Sequence, residues 1–131
     1  MKVFAHRGAS GDYPENTILA FDKALALDVY GIELDVHKSK DGHLVVIHDE
    51  DIQRTFKGKG LVMDYTLSEL KKFNCRKFEF IENLNCKIPT LREVFELIKK
   101  LQEDIYTDTM YPNDLRPETN HGYTTKYKGL D

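Results

Sequence analysis

The 131-residue chain has no tryptophan, only two cysteines and no apolar run of about 18 residues that could span a membrane. The apolar stretch before His6 is too short for the hydrophobic core of a secretory signal. The formal charge is −3, and no run of Lys or Arg exceeds two residues. Neither nucleic acid nor an acidic membrane is therefore favoured as a partner. These absences predict a soluble globular protein, which we expect in the cytoplasm.

The two cysteines are Cys75 and Cys86. We predict two free thiols in a reducing cytosol, although a disulfide between them is the alternative. With no histidine close in sequence to either of them, a zinc site is disfavoured.

The first third of the chain has the pattern of a strand followed by a helix. The apolar run Val3–Ala5 ends in His6 and predicts a buried strand. A helix is expected to begin near Asn16 or Thr17, both good N-cap residues, and to end at Gly31.

Two further strands are predicted, one over Ile32–Val36 with strict alternation and one over Leu44–Ile47. Short connections between helix and strands favour an α/β fold. The dipeptide Asp41-Gly42 predicts an antiparallel hairpin between these strands, where a pure βα repeat would require a helix. The sequence leaves both arrangements open.

Two capping boxes, beginning at Thr66 and Thr90, predict a short helix and a longer amphipathic helix. The amphipathic pattern fades after about Leu101, so we divide the chain into an N-terminal portion, residues 1–100, and an irregular tail, residues 101–131.

Glu33 and Asp35 project from the same face of a strand whose other face is apolar. Two like charges buried together are costly unless a cation lies between them, and carboxylates suit hard ions such as Mg²⁺ or Ca²⁺. A solvent-facing strand with its acids pointing outward is the alternative.

His6 and His48 each follow a predicted strand, at the end where sites assemble in parallel α/β folds. Histidine can transfer protons near neutral pH. Arg7 could hold a phosphate oxygen or make a surface salt bridge, and Glu15 and Asn16 could simply cap the first helix.

Taken in order, these segments resemble the glycerophosphodiester phosphodiesterase family. The segments that carry the resemblance are His6-Arg7-Gly8, Pro14-Glu15-Asn16-Thr17, Glu33-Leu34-Asp35-Val36, Asp41-Gly42, Val45-Val46-Ile47-His48-Asp49 and Ile88-Pro89-Thr90-Leu91. They span residues 3 to about 100.

The resemblance implies a TIM barrel with a metal-dependent hydrolytic site. The counterparts of His6 and His48 act as general acid and base, and those of Glu33 and Asp35 bind a divalent cation, Mg²⁺ or Ca²⁺. The counterpart of Arg7 holds the phosphate. The implied substrate is a small glycerophosphodiester, cleaved to an alcohol and glycerol 3-phosphate.

The counterpart of Glu15 also helps hold the phosphate and the site in that family. A related chemistry on the same barrel, such as a lysophospholipase D or a phosphatidylinositol-type phospholipase, is a further alternative. No apolar lip or interfacial helix favours a lipid surface.

A complete TIM barrel needs roughly 250 residues, so we expect only the front half of one here. The family's next strand adds an acidic metal ligand near a Glu-x-Lys motif, which is not found here after Lys100, and Asp104 or Asp108 are the substitutes. The alternative function is therefore a truncated remnant that binds a divalent cation or phosphate without turnover. A homo-oligomer or a second half-barrel could close such a fold.

Overall fold

Five short strands and three α-helices form across residues 2–27, 29–109 and 125–126, which the computed structural model describes, with side chains described up to residue 102. The strands are β1 (Phe4–His6), β2 (Gly31–Glu33), β3 (Val36–Lys38), β4 (Leu44–Val46) and β5 (Thr125–Lys126). The helices are α1 (Ile18–Leu25), α2 (Leu67–Leu70) and α3 (Leu91–Thr109). Three single 3-10 turns lie at Val62–Asp64, Phe78–Phe80 and Leu84–Cys86.

Strand β1, helix α1 and strand β2 form a βαβ unit, since β1 and β2 pair in parallel. Thr17 caps the helix, as its hydroxyl accepts a hydrogen bond from the Ala20 amide at 3.2 Å. The predicted helix end at Gly31 is wrong. The helix ends at Leu25, and Gly31 instead begins the next strand, where it pairs with Phe4.

The strand predicted over Ile32–Val36 is divided between two sheets. Its first part belongs to β2, which pairs with β1, and its last residue begins β3, which pairs with β4. Leu34 turns into the core, and the Asp35 carbonyl accepts a hydrogen bond from the Ile47 amide at 2.9 Å. The prediction of a single alternating strand is therefore wrong, because the chain changes its partner strand between Glu33 and Val36.

The Asp41-Gly42 turn joins β3 and β4 as an antiparallel hairpin, so the structure decides between the two arrangements that the sequence left open. Gly42 adopts a φ of 89°, which a glycine adopts without strain, and its amide bonds the Ser39 carbonyl at 3.0 Å. The Asp41 carboxylate accepts from the Ser39 hydroxyl at 2.7 Å.

Two apolar clusters make up the core of the described residues. The first lies between α1, α3 and the strands, and includes Phe21, Ala24, Ile32, Leu34, Val46, Val94 and Ile98. The second lies under the segment between β4 and α3, and includes Val45, Ile52, Phe56, Leu70, Cys75, Cys86 and Ile88. Both cysteines are free, as predicted, and burial raises the pKa of the Cys86 thiol to about 11.

Both predicted capping boxes are present. Thr66 and Glu69 bond each other's backbone amides at the start of α2, and Thr90 and Glu93 do so at the start of α3, with distances of 2.7 and 3.0 Å in the second box. None of the described helices is both long and apolar enough to cross a bilayer.

Helix α3 continues to Thr109, past the predicted boundary at residue 100. Asp104 and Asp108 therefore lie on a helix, where a further strand would have been needed to carry a substitute metal ligand. Of the predicted irregular tail, residues 110–124 and 127–131 lie outside the described residues, whereas β5 pairs antiparallel with β2.

Candidate active site

The carboxyl ends of β1 and β2 place two of the predicted residues side by side. His6 and Glu33 are partners in the parallel register, and His6 Nε2 lies 3.8 Å from Glu33 Oε1. That carboxylate oxygen is buried without a hydrogen-bond partner, while the His6 side chain is largely exposed. An exposed imidazole beside a carboxylate with an unused oxygen is a reactive arrangement rather than a packing one.

Arg7 follows β1 with a φ of 59°, a left-handed conformation that is strained for a non-glycine residue. Its amide donates to the Glu33 carbonyl at 2.9 Å. Its guanidinium lies 3.5 Å from a carboxylate oxygen of Asp35 and 3.5 Å from one of Glu15. The strained backbone thus directs a half-buried cation between two acids that approach from different loops.

Asn16 has the second left-handed backbone, with a φ of 56°. Its amide bonds the Arg7 carbonyl at 2.9 Å, and its side-chain nitrogen donates to Asp35 Oδ2 at 3.2 Å. Thr17, not Asn16, caps α1, so the nearly buried Asn16 serves to hold the loop of Arg7 and the Asp35 carboxylate together.

Arg54 joins the loop after β4 to this group. Its guanidinium donates to both oxygens of Glu15, at 2.9 and 2.8 Å, and its Nε donates to Asp49 Oδ2 at 2.8 Å. The hydrogen bonds from Arg54 lower the pKa of Glu15, and those from Arg54 and His48 lower the pKa of Asp49 to about 2. The same two carboxylates raise the pKa of Arg54. All three groups are therefore charged at neutral pH.

His48 is held at both its ring and its backbone. Its Nδ1 lies 2.7 Å from Asp49 Oδ1, and its carbonyl lies 2.9 Å from His37 Nε2. Because the Asp49 carboxylate can only accept, Nδ1 carries the proton of this hydrogen bond, and Nε2 is the nitrogen that carries the lone pair in the neutral ring. Within the described chain no hydrogen bond or ion pair joins His48 directly to His6.

The structure thus connects the six predicted residues in one network, which also includes three residues that the sequence did not single out as site residues: Asn16, Asp49 and Arg54. One part runs from His6 through Glu33 and the Arg7 backbone, and the other from His48 through Asp49 to Arg54. The sequence offered little to single out Arg54, a lone arginine in a Lys- and Gly-rich loop. Asn16 stood inside a motif but was interpreted as a helix cap.

The predicted metal ligands are present but do not form a complete site by themselves. Within the described residues no group of three or more His, Cys, Asp or Glu side chains is arranged to hold a metal ion. Glu33 offers a buried oxygen that accepts no hydrogen bond and lies 3.8 Å from His6 Nε2, and Asp35 is engaged by Arg7 and Asn16. The hard oxygen donors fit a divalent cation, and such an ion needs further ligands.

Comparison with known proteins identifies the chain's relatives. The model of the glycerophosphoryl diester phosphodiesterase family matches residues 6–128. The chain is 57% identical over 97 residues to a glycerophosphodiester phosphodiesterase of Caldanaerobacter subterraneus, covering 73% of this chain and 40% of that protein. It is 39% identical over 117 residues to one from Bacillus subtilis, covering 83% of this chain and 40% of that protein. The chain therefore spans about two-fifths of the length of the curated relatives it matches.

Solved structures that are similar to this chain are also phosphodiesterases. An Oleispira antarctica phosphodiesterase in complex with the product sn-glycerol-3-phosphate aligns with a TM-score of 0.69 and 37% identity, over 76% of this chain and 40% of that one. A glycerophosphodiester phosphodiesterase from Agrobacterium tumefaciens aligns with a TM-score of 0.68 and 38% identity, over 76% and 43% of the two chains. The predicted fold is confirmed as part of a TIM barrel, and the family match extends past the residue 100 at which the sequence resemblance faded. The chain belongs to the glycerophosphoryl diester phosphodiesterase family.

Proposed function

We propose that this chain carries the front portion of an active site that hydrolyses glycerophosphodiesters to an alcohol and glycerol 3-phosphate. The observation that carries the proposal is the pairing of His6 with Glu33 at the ends of two parallel strands, where Glu33 keeps a buried oxygen free. The relative solved with its product, sn-glycerol-3-phosphate, supports the substrate class.

His6 and His48 supply the general acid and the general base. Asp49 fixes the ring of His48 so that its Nε2 can accept a proton, as the orienting carboxylate does in other histidine sites. We assign His48 to the removal of a proton from the attacking hydroxyl. His6, on the exposed tip of β1, is then the group that protonates the leaving oxygen.

Arg7 and Glu15 together hold the substrate's phosphate. Arg7 binds the phosphate directly, and Glu15 fixes the position of Arg7. Glu15 lies 3.5 Å from Arg7 and is itself held by Arg54, which keeps the Arg7 guanidinium at the ends of β1 and β2. A phosphodiester anion repels nucleophiles, so a fixed guanidinium lowers the barrier to attack by offsetting that charge.

Glu33 and Asp35 would hold a divalent cation, Mg²⁺ or Ca²⁺, with donors from outside the described residues completing its coordination. When bound, such an ion supplies positive charge beside the phosphate. Carboxylate chemistry and the free oxygen of Glu33 support this assignment.

The test is release of glycerol 3-phosphate from glycerophosphocholine by the purified chain with added Mg²⁺ or Ca²⁺. We expect EDTA to abolish the reaction, and Glu33→Gln to reduce the rate at least about a hundredfold because a ligand is lost. Glu96→Gln, on the exposed face of α3, is the matched control and should keep the full rate. A rate at background, unchanged by EDTA or Glu33→Gln, would refute the proposal.

A second candidate is binding of a divalent cation or phosphate without turnover. The absence of a complete ligand group among the described residues favours it. Titration calorimetry separates the two candidates. Metal binding that Glu33→Gln removes, in a chain that releases no glycerol 3-phosphate, would establish the binding function alone.

We also propose that the chain associates with a second copy of itself or with another chain that supplies the rest of the barrel. Phe4 and Leu44 are more than two-fifths exposed on β1 and β4, apolar surface that a closing partner could cover.

Because Cys75 and Cys86 remain free, we assign the chain to the reducing cytoplasm.

A further inference from the structure

A small cavity lies beside the candidate active site and shares a wall with it. Its volume is about 160 Å³, and its polar lining includes Ser10, Glu15, Arg54, Thr55, Arg76 and Lys77. Glu15 is the residue that holds Arg7, and the Ser10 hydroxyl donates to the His6 carbonyl at 2.9 Å. Glu15 and Ser10 therefore connect this cavity to the residues of the candidate active site.

The charges of the cavity wall do not balance. Three cations, Arg54, Arg76 and Lys77, face one carboxylate, Glu15, and that carboxylate is fully engaged by Arg54. Over the described part of the chain, Arg76 and Lys77 make no ion pair. The side-chain bond of Arg76 goes from Nε to the Gln53 carbonyl, and its terminal nitrogens remain available.

Asp49 and Asp51 line a neighbouring cavity together with Arg76, but within the described residues neither acid forms an ion pair with it. Asp49 is paired with Arg54, and Asp51 accepts hydrogen bonds from the Gln53 and Gly60 amides at 2.7 and 3.3 Å. Arg76 and Lys77 are exposed cations that form no ion pair within the described residues, and with the Thr55 hydroxyl they are suited to bind an anionic oxygen group.

We propose that this cavity binds the alcohol part of the substrate and selects an alcohol that carries an anionic group, with Arg76 and Lys77 as the selecting residues. The inference rests on the proposed function for its choice of ligand. A carboxylate on the alcohol would form charge-assisted hydrogen bonds there, whereas a neutral or cationic alcohol would leave the two cations unpaired.

Two glycerophosphodiesters differ only in whether the alcohol carries an anionic group. Glycerophosphoserine carries a carboxylate that glycerophosphoethanolamine lacks, and the two molecules are otherwise the same. We expect the chain to bind the serine compound about tenfold more tightly, as measured by titration calorimetry, which needs no turnover. The double variant Arg76→Gln/Lys77→Gln should bring the ratio of the two dissociation constants to about one.

Three controls make the result specific. The double variant Lys99→Gln/Lys100→Gln removes an equal charge from exposed positions of α3, far along the chain from the cavity, and should leave the ratio unchanged. Arg76→Lys alone keeps a cation and should retain most of the preference. Circular dichroism establishes that each variant is folded.

Inorganic phosphate distinguishes a head-group site from a site for free phosphate. If phosphate binding is lost in the double variant while the two diesters bind equally to the unaltered chain, the cavity is a phosphate site and our assignment is wrong. Equal binding of the two diesters in every variant, or binding of neither, also overturns it. Preferential binding without release of glycerol 3-phosphate would support the cavity and refute only the proposed hydrolysis.

Discussion

At the scale of single residues, the site depends on backbone conformations that side-chain patterns do not reveal. Arg7 and Asn16 both adopt left-handed backbones, at φ of 59° and 56°, and they bond each other across the loop. Gly8 between them in sequence has a φ of 81°. The resulting turn brings Arg7 to both Glu15 and Asp35, so local strain is the means by which the Arg7 guanidinium is positioned.

Gly8 has no room for a side chain, which makes it a direct test of this turn. A Cβ there would lie 2.8 Å from the backbone carbon of Ala20 in α1. We expect Gly8→Ala to reduce the free energy of unfolding by about 2 kcal/mol, combining an unfavourable φ with overpacking. Urea denaturation measures the change. Gly11→Ala, where a Cβ meets nothing within 4 Å, should change it by less than about 0.5 kcal/mol, and equal losses would contradict the account.

Asp49 contributes a pH dependence whose sign follows from its lowered pKa. The folded-state value is about 2 and the ordinary value is 3.8, so its contribution to stability is present above about pH 4 and is lost as the pH falls through 2. Since Asp49 and Arg54 are both accessible to solvent, screening reduces the contribution to about 1 kcal/mol.

Comparison of Asp49→Asn with the unaltered chain tests this contribution. The variant should be less stable by about 1 kcal/mol at pH 7, and the difference should vanish near pH 2. Asp12→Asn, at an exposed loop position, is the control and should show no such convergence. A difference that stays constant from pH 7 to pH 2 would show that the Asp49 carboxylate contributes no electrostatic stability.

At the scale of elements, the sequence predicted the existence of helices and strands better than their ends and partners. Helix caps are local, so Thr17, Thr66 and Thr90 could be identified from their neighbours. The division of Ile32–Val36 between two sheets could not be predicted, because the alternation of apolar and polar residues continues where the chain changes its partner strand. The end of α1 at Leu25 was missed for a similar reason, since Val29 continues the apolar period after the helix has stopped.

The cap of α3 carries an element-scale prediction. Val94 and Ile98 of this helix are buried against α1 and the strands, so the helix must begin at the right place for them to pack. Thr90→Ala removes the hydroxyl that accepts from the Glu93 amide and should cost about 1 kcal/mol of stability. Thermal and urea denaturation measure it. Thr90→Ser keeps a hydroxyl and should recover most of the loss, whereas a serine variant as unstable as the alanine variant would rule out the cap.

At the scale of the molecule, the ordered set of motifs identified the fold and the family, because the motifs that contain His6, Glu33 and His48 lie at or just after strand ends. The links between those ends were not predictable. Arg54 bonds Glu15, which lies 39 positions away in sequence, and the residues around each of them do not predict this pair. Distant ion pairs are set by how the loops pack, which a single sequence does not encode locally.

The central claim is that His6 on β1 takes part in hydrolysis. The most direct measurement compares glycerol 3-phosphate release from glycerophosphocholine by His6→Ala with release by His43→Ala, an exposed histidine in the β3–β4 hairpin. We expect the first variant to lose at least about a hundredfold in rate, as loss of a general acid predicts, and the second to keep the unaltered rate. Equal rates in both variants and the unaltered chain would contradict the account.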